Sequence, residues 1–134
     1  MQDLRLTPVT EETSRKGIWA PYYGAKLRIA RMNSPAFINH FNRLMRAHKS
    51  QKHIPEETSN DIMCQCLSKH VLVDWEWEVN GEKIPYSKDN AYSLLFNDTD
   101  ARDFVVEFAS DLTNYLEEQE EEAKGKSSTR TSGG

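Results

Sequence analysis

Cysteine is almost missing from this chain: Cys64 and Cys66 are the only two in 134 residues. Separated by one glutamine, they cannot staple a small secreted fold, and on a helix they point about 200° apart. Reduced, partly buried thiols are expected. Cys-x-Cys also lacks the spacing of a zinc finger or knuckle and has no second pair to complete one, so core packing explains Cys64, Cys66 and His70 better than a metal does. The six glycines are scattered or terminal and form no cradle for a phosphate. No nucleophile elbow is present, and the many carboxylates fall on runs that read as solvated faces. These absences argue against an enzyme and against a cofactor. No apolar run is long enough to cross a bilayer, and MQDLRLTPVTEETSRK lacks the apolar centre of a secretion signal. A cytosolic protein with no membrane partner is expected.

Acidic residues are missing from one long stretch. Between Thr13 and Pro55 there is no Asp or Glu, while Arg15, Lys16, Lys26, Arg28, Arg31, Arg43, Arg46, Lys49 and Lys52 all lie there. Residues 1–70 carry 11 Lys or Arg against 6 Asp or Glu, and residues 71–134 carry 6 against 15. The net charge of −4 therefore hides a polar chain. Such asymmetry predicts oppositely charged partners for the two halves, or head-to-tail contact between copies in a homo-oligomer.

The hydrophobic content of 37% supports one compact domain with a modest core, expected over residues 17–116. Residues 1–16, polar and aperiodic, read as a flexible arm. GIWAPYYGAKLRIARM, residues 17–32, predicts two short strands about a turn near Tyr23-Gly24, with Pro21 at an edge. Ser34-Pro35 is a strong helix start, and Phe37, Phe41, Leu44 and Met45 give that helix an apolar stripe ending near residues 48–50. Pro55-Glu56-Glu57 opens a second helix, Ser87 caps a short third, and a fourth begins near Thr99 with Phe104, Phe108, Leu112 and Tyr115 on its buried face. Beyond it EEQEEE, residues 117–122, has no apolar face and is expected as an acidic extension of the closing helix that outlives its packing partner and frays, and GKSSTRTSGG, residues 125–134, is disordered by composition. The expectation is a mainly α (α+β) domain of about four helices, with short β-hairpin elements near residues 17–32 and 71–85.

HVLVDWEWEVNGEKIPYSKDNAYSLL, residues 70–95, raises the sharpest local question. Ile62, Cys66 and His70, with Met63, Leu67 and Val71, recur at helical spacing and could carry a helix on to Trp75. Against that, Val71, Val73, Trp75, Trp77 and Val79 alternate with Asp74, Glu76 and Glu78, as in a strand with one dry face. We expect helix to about His70, strand after it, and a hairpin turn at Asn80-Gly81, where both residues tolerate positive φ.

Taken in order, GIWAPYYGAKLRIARMNSPAFINHFNRLMR, then VLVDWEWEVNGEKIPYSKDNAYSLLFND, then DFVVEFASDLTNYLEEQEEEAKGKSS resemble the tail assembly chaperones of long-tailed bacteriophages, over most of residues 16–127. The resemblance implies a small, mostly helical, non-enzymatic protein of the host bacterial cytoplasm, absent from finished particles. Family members coat the tape measure protein, keep it soluble and help recruit the tail tube protein. Many are also made in a longer form by ribosomal frameshifting. GKSSTRTSGG departs from the usual ending, and no catalytic residues transfer.

Two groups of residues are candidates for such contacts. Trp75, Trp77 and Tyr86 form an apolar anchor, either under the closing helix or against a client, with plain core burial as the alternative. Arg43, Arg46 and Lys49 would face acidic residues of a neighbour or client, or solvent. The rival function is a basic-patch nucleic-acid-binding or regulatory protein of phage origin, since Trp19, Tyr22, Tyr23 and Phe37 interleave with Lys and Arg. The acidic whole, and the better fit of Phe37 and Phe41 to a core stripe, make nucleic acid the weaker reading.

Overall fold

Each half of the sequence folds a hairpin, and the two hairpins meet as one antiparallel sheet. The computed structural model describes residues 9–133, with side chains as far as residue 124. β1 (Ile18–Tyr22) and β2 (Ala25–Ile29) turn at Tyr23-Gly24, while β3 (Leu72–Val79) and β4 (Glu82–Lys83) turn at Asn80-Gly81. Asn80 and Gly81 have φ of 53° and 82°, the pair of left-handed residues that a two-residue hairpin turn needs. The strand order is β1-β2-β3-β4, with Pro21 on the edge strand, where its missing N–H leaves no ladder gap.

Between β2 and β3 run α2 (Pro35–Arg46) and α3 (Glu56–His70); after β4 come α4 (Lys88–Asn97), α5 (Thr99–Ser110) and α6 (Leu112–Gly133). The caps are those the sequence predicts. Ser34 Oγ accepts from Phe37 N with Pro35 in the first turn, and Ser87 Oγ accepts from Asn90 N. α3 ends at His70, and the strand begins two residues later. α3 is the central helix, in contact with α2, α4 and β3, which is why it buries Ile62, Cys64, Cys66 and Leu67 around its circumference. Both cysteines are free and fully buried, more deeply than their opposed directions suggested, because a helix packed on several sides has few wet directions. The inner sheet face joins them in one core through Leu27, Ile29, Leu72 and Trp75, with Leu95, Val105 and Ala109 from α4 and α5.

The helices depart from expectation in three places. The expected flexible arm contains a helix, α1 (Glu11–Lys16), capped by Thr10, and Val9 is buried against Ile18 and Tyr115; residues 1–8 of that arm lie outside the described residues. The expected fourth helix is two. Asp111 adopts an extended ψ of 104° and its carboxylate accepts from Thr113 N, competing with the helical ladder and starting α6 afresh. With α1 and this break, the described residues hold six helices rather than about four. α6 runs through the acidic stretch, where a helix extension is expected, and continues to Gly133, past the start of the expected disordered tail at residue 125. Its packed first turns nucleate it, and each later residue adds a hydrogen bond to a helix already begun.

Candidate functional site

On β3 the expected dry row is interrupted. Arg28 pairs with Asp74 but Ile29 with Leu72, so Val73 is an extra residue in a bulge, and the inward phase passes from Leu72 to Trp75. The predicted row of Val71, Val73, Trp75, Trp77 and Val79 is therefore corrected: Leu72 and Trp75 are buried, Val73 and Trp77 half-buried, and Val79 exposed.

Trp75, Trp77 and Tyr86 do come together. The Trp75 ring lies 5.5 Å from Trp77 and 5.2 Å from Tyr86, edge to face with both. The chain after β4 folds back over them: Trp75 Nε1 donates to Ile84 O at 2.8 Å, and the Tyr86 hydroxyl donates to Leu72 O at 2.7 Å. With 5% of its surface exposed, Trp75 is held beneath the Ile84–Tyr86 segment, so of the three it is Trp77 and Tyr86 that retain accessible surface.

Trp77 also lines an open cleft of about 230 Å3 at the tip of the β1–β2 hairpin, with Tyr22, Tyr23, Leu27, Leu94 and Asp98. Tyr23 stands out. It is 91% exposed and has φ of 52°, a conformation a bulky side chain adopts only under constraint. Its ring meets Tyr22 edge-on at 4.7 Å, and Tyr22 packs at 4.7 Å on Phe104 of α5. Asp98 closes α4 and caps α5, one carboxylate oxygen accepting from Ala101 N at 3.1 Å. Loss of hydration, with Asp98 next in effect and Tyr23 and Asp100 behind it, raises the Tyr22 hydroxyl above its ordinary value. The cleft is thus aromatic on its walls and negative at its rim. Tyr23-Gly24 was legible as a turn, but the cleft was not; the one available signal was a tyrosine standing where turns of this kind prefer Gly or Asn.

The basic candidates sit elsewhere. Arg43 and Arg46 are exposed on the last turns of α2 and Lys49 in the turn after it. The charge polarity of the sequence is partly cancelled in space. On the outer sheet face Lys26 stands opposite Glu76 and Arg28 opposite Asp74, while Arg28 also lies 5.3 Å over the Trp19 ring. At the far end Lys16 reaches Glu122 of α6 at 3.9 Å. Among the described residues Arg43, Arg46, Lys49 and Lys52 form no ion pair, so the α2 end and the turn after it carry a run of positive charge.

Under that end, His40 Nδ1 of α2 lies 3.1 Å from His70 Nε2 of α3. One ring must donate and the other accept, so the contact requires at least one neutral imidazole. Burial, then Lys69 and Arg43, hold His40 below its ordinary value; burial, then His40 and Lys69, do the same to His70. Burial likewise raises the Cys64 thiol, and pushes Cys66 up to about 11. No three His, Cys, Asp or Glu side chains are grouped to hold a metal ion among the described residues. No helix among them is long and apolar enough to cross a membrane.

One antiparallel sheet, covered on one face by helices and bearing an aromatic cleft at a hairpin tip, defines a small two-layer α+β domain. Residues 32–126 match the family model described as YdaY prophage protein, and since that is more than half of the chain, the chain belongs to this family and is phage-derived. The matched segment begins just after β2, so Trp77, Leu94 and Asp98 fall within it and Tyr22 and Tyr23 outside. Neither a curated protein nor a solved structure matches the chain.

Proposed function

We propose that this prophage protein is a tail assembly chaperone: it binds the tape measure protein, keeps that long apolar rod in solution and helps bring tail tube protein to it. It acts in the host cytoplasm, without catalysis, and leaves before the particle is finished. The observation that carries the reading is α6. Tyr115 locks its first turns into the core, while Glu117, Glu120, Glu121 and Glu122 are exposed along its continuation. A helix fastened over its first turns and bearing exposed carboxylates along its side supplies charge and hydration to whatever the body holds. The body in turn offers scattered apolar surface, with Trp19, Tyr23, Ile38 and Val79 all exposed.

The test is to co-express the chain with the large coiled-coil-rich product of the neighbouring gene and measure how much of that product stays soluble. Solubility that rises with the chain, and falls when Glu117, Glu120, Glu121 and Glu122 are replaced by Gln, is expected. A product equally soluble or insoluble with and without the chain would sink the reading. The nucleic-acid alternative is weakened by Asp74 and Glu76, which stand on the same sheet face as Lys26 and Arg28.

A further inference from the structure

We propose that the cleft bounded by Tyr22, Tyr23, Trp77 and Asp98 receives a basic side chain, Arg43 or Arg46, from the α2 end of a second copy, so that copies join head to tail. The chemistry of the cleft selects such a group. Aromatic walls favour a cation over their faces, Leu27 and Leu94 offer apolar floor to the aliphatic stem, and the Asp98 carboxylate stands at the rim. Asp100, in the first turn of α5, adds to the negative potential around Tyr22.

The strain at Tyr23 points the same way. A fully exposed ring on a left-handed backbone contributes little to folding, and an asparagine would hold the turn at lower cost. A contact with a second copy gives the ring a role that the single chain does not. The occupant follows from where charge is left over. Lys16 reaches Glu122, and Lys26 and Arg28 stand opposite Glu76 and Asp74 on the sheet, whereas among the described residues Arg43 and Arg46 form no ion pair and α2 carries no acidic residue, so its end is a positive surface. Cleft and α2 end are different surfaces. An interface between them is heterologous, and each bound copy presents a fresh cleft and a fresh α2 end. Neither surface depends on the client being a tape measure protein.

Two variants separate this from other modes of association. Tyr23→Asn with Asp98→Asn removes the ring and the rim charge while keeping a turn former and a helix cap. Arg43→Glu with Arg46→Glu reverses the other surface. By light scattering at low salt, the wild-type chain should grow past a dimer as concentration rises, and shrink again at high salt. Each variant alone should associate at least tenfold more weakly. An equimolar mixture of the two should recover association and stop at the dimer, since only one competent cleft and one competent α2 end remain per pair. A wild-type chain monomeric at every concentration, a variant that assembles like wild type, or a mixture that stays monomeric would each overturn the proposal. Thermal melts within a few degrees of wild type establish that both variants are folded. Only this chain is present, so the outcome is independent of client solubility.

Discussion

The Tyr115 hydroxyl donates to the Ile29 carbonyl at 3.0 Å, joining α6 to the end of β2 across most of the chain, with no part of the tyrosine exposed. Removing only the oxygen, Tyr115→Phe, should cost about 1 kcal/mol in urea unfolding. Tyr115→Ala should cost about 3–5 kcal/mol, because the ring also fills the small core shared with Val9 and Ile18. An alanine variant within about 0.5 kcal/mol of wild type would mean that α6 is not held there.

Trp75→Ala should likewise cost about 3–5 kcal/mol, since the ring is core and its N–H holds the Ile84 carbonyl. Trp77→Ala should cost distinctly less, as that ring is only half-buried. A loss below about 1 kcal/mol for Trp75 would place its ring on the surface instead.

Stability should fall on mild acidification through the His40–His70 contact. Both imidazoles are depressed below 6.5 in the folded chain, so the unfolded chain binds more protons around pH 6. Their contribution is whole above about pH 6.5 and is lost as pH drops through the lower folded values. The groups about the pair, Lys69, Lys88 and Arg43, are positive and oppose a second proton. Melting temperatures taken between about pH 7.5 and 5.5 should decline, and decline less in His70→Gln. Equal slopes in the two proteins would remove the pair from the explanation.

Both thiols should be inert until the chain unfolds. Cys66 is buried and shifted to about 11, so at pH 8 almost none of it is thiolate, and Cys64 is raised for the same reason. A disulfide reagent should label neither in native buffer over minutes and both at once in denaturant. Rapid native labelling would show that α3 opens locally.

Tyr23→Asn should leave the fold intact and stabilise it by up to about 1 kcal/mol, by relieving the left-handed strain. Gly81→Ala, at φ of 82°, should act in the opposite sense by a similar amount. Destabilisation by Tyr23→Asn would show that the ring supports the hairpin within the monomer.

Local chemistry made much of this fold legible. Ser34-Pro35, Ser87, Asn80-Gly81 and the change of period at His70 each encode their structure within a few residues, and each element stands where those residues place it. What escaped depends on distant partners. The bulge at Val73 arises from pairing with β2, and α1 is ordered by Tyr115 and by Gln119, whose side chain accepts from Thr10 N at 2.6 Å. The aromatic trio could be grouped from spacing on one strand and the segment following it. The Tyr22–Asp98 cleft could not, because its walls come from β1, β3 and the α4–α5 junction, which the sequence holds far apart.

The sheet's order also fixes a sequence of events on the ribosome. β1 and β2 are made first, yet their inner residues Ala20, Leu27 and Ile29 find their cover only in α3, β3, α4 and α5. At about 5–20 residues per second, the nascent hairpin waits several seconds with its greasy side bare. Its outer side carries Lys26 and Arg28 meanwhile, before Asp74 and Glu76 exist to meet them. For that interval the hairpin is cationic on one side and uncovered on the other, and only the later strands and helices complete both.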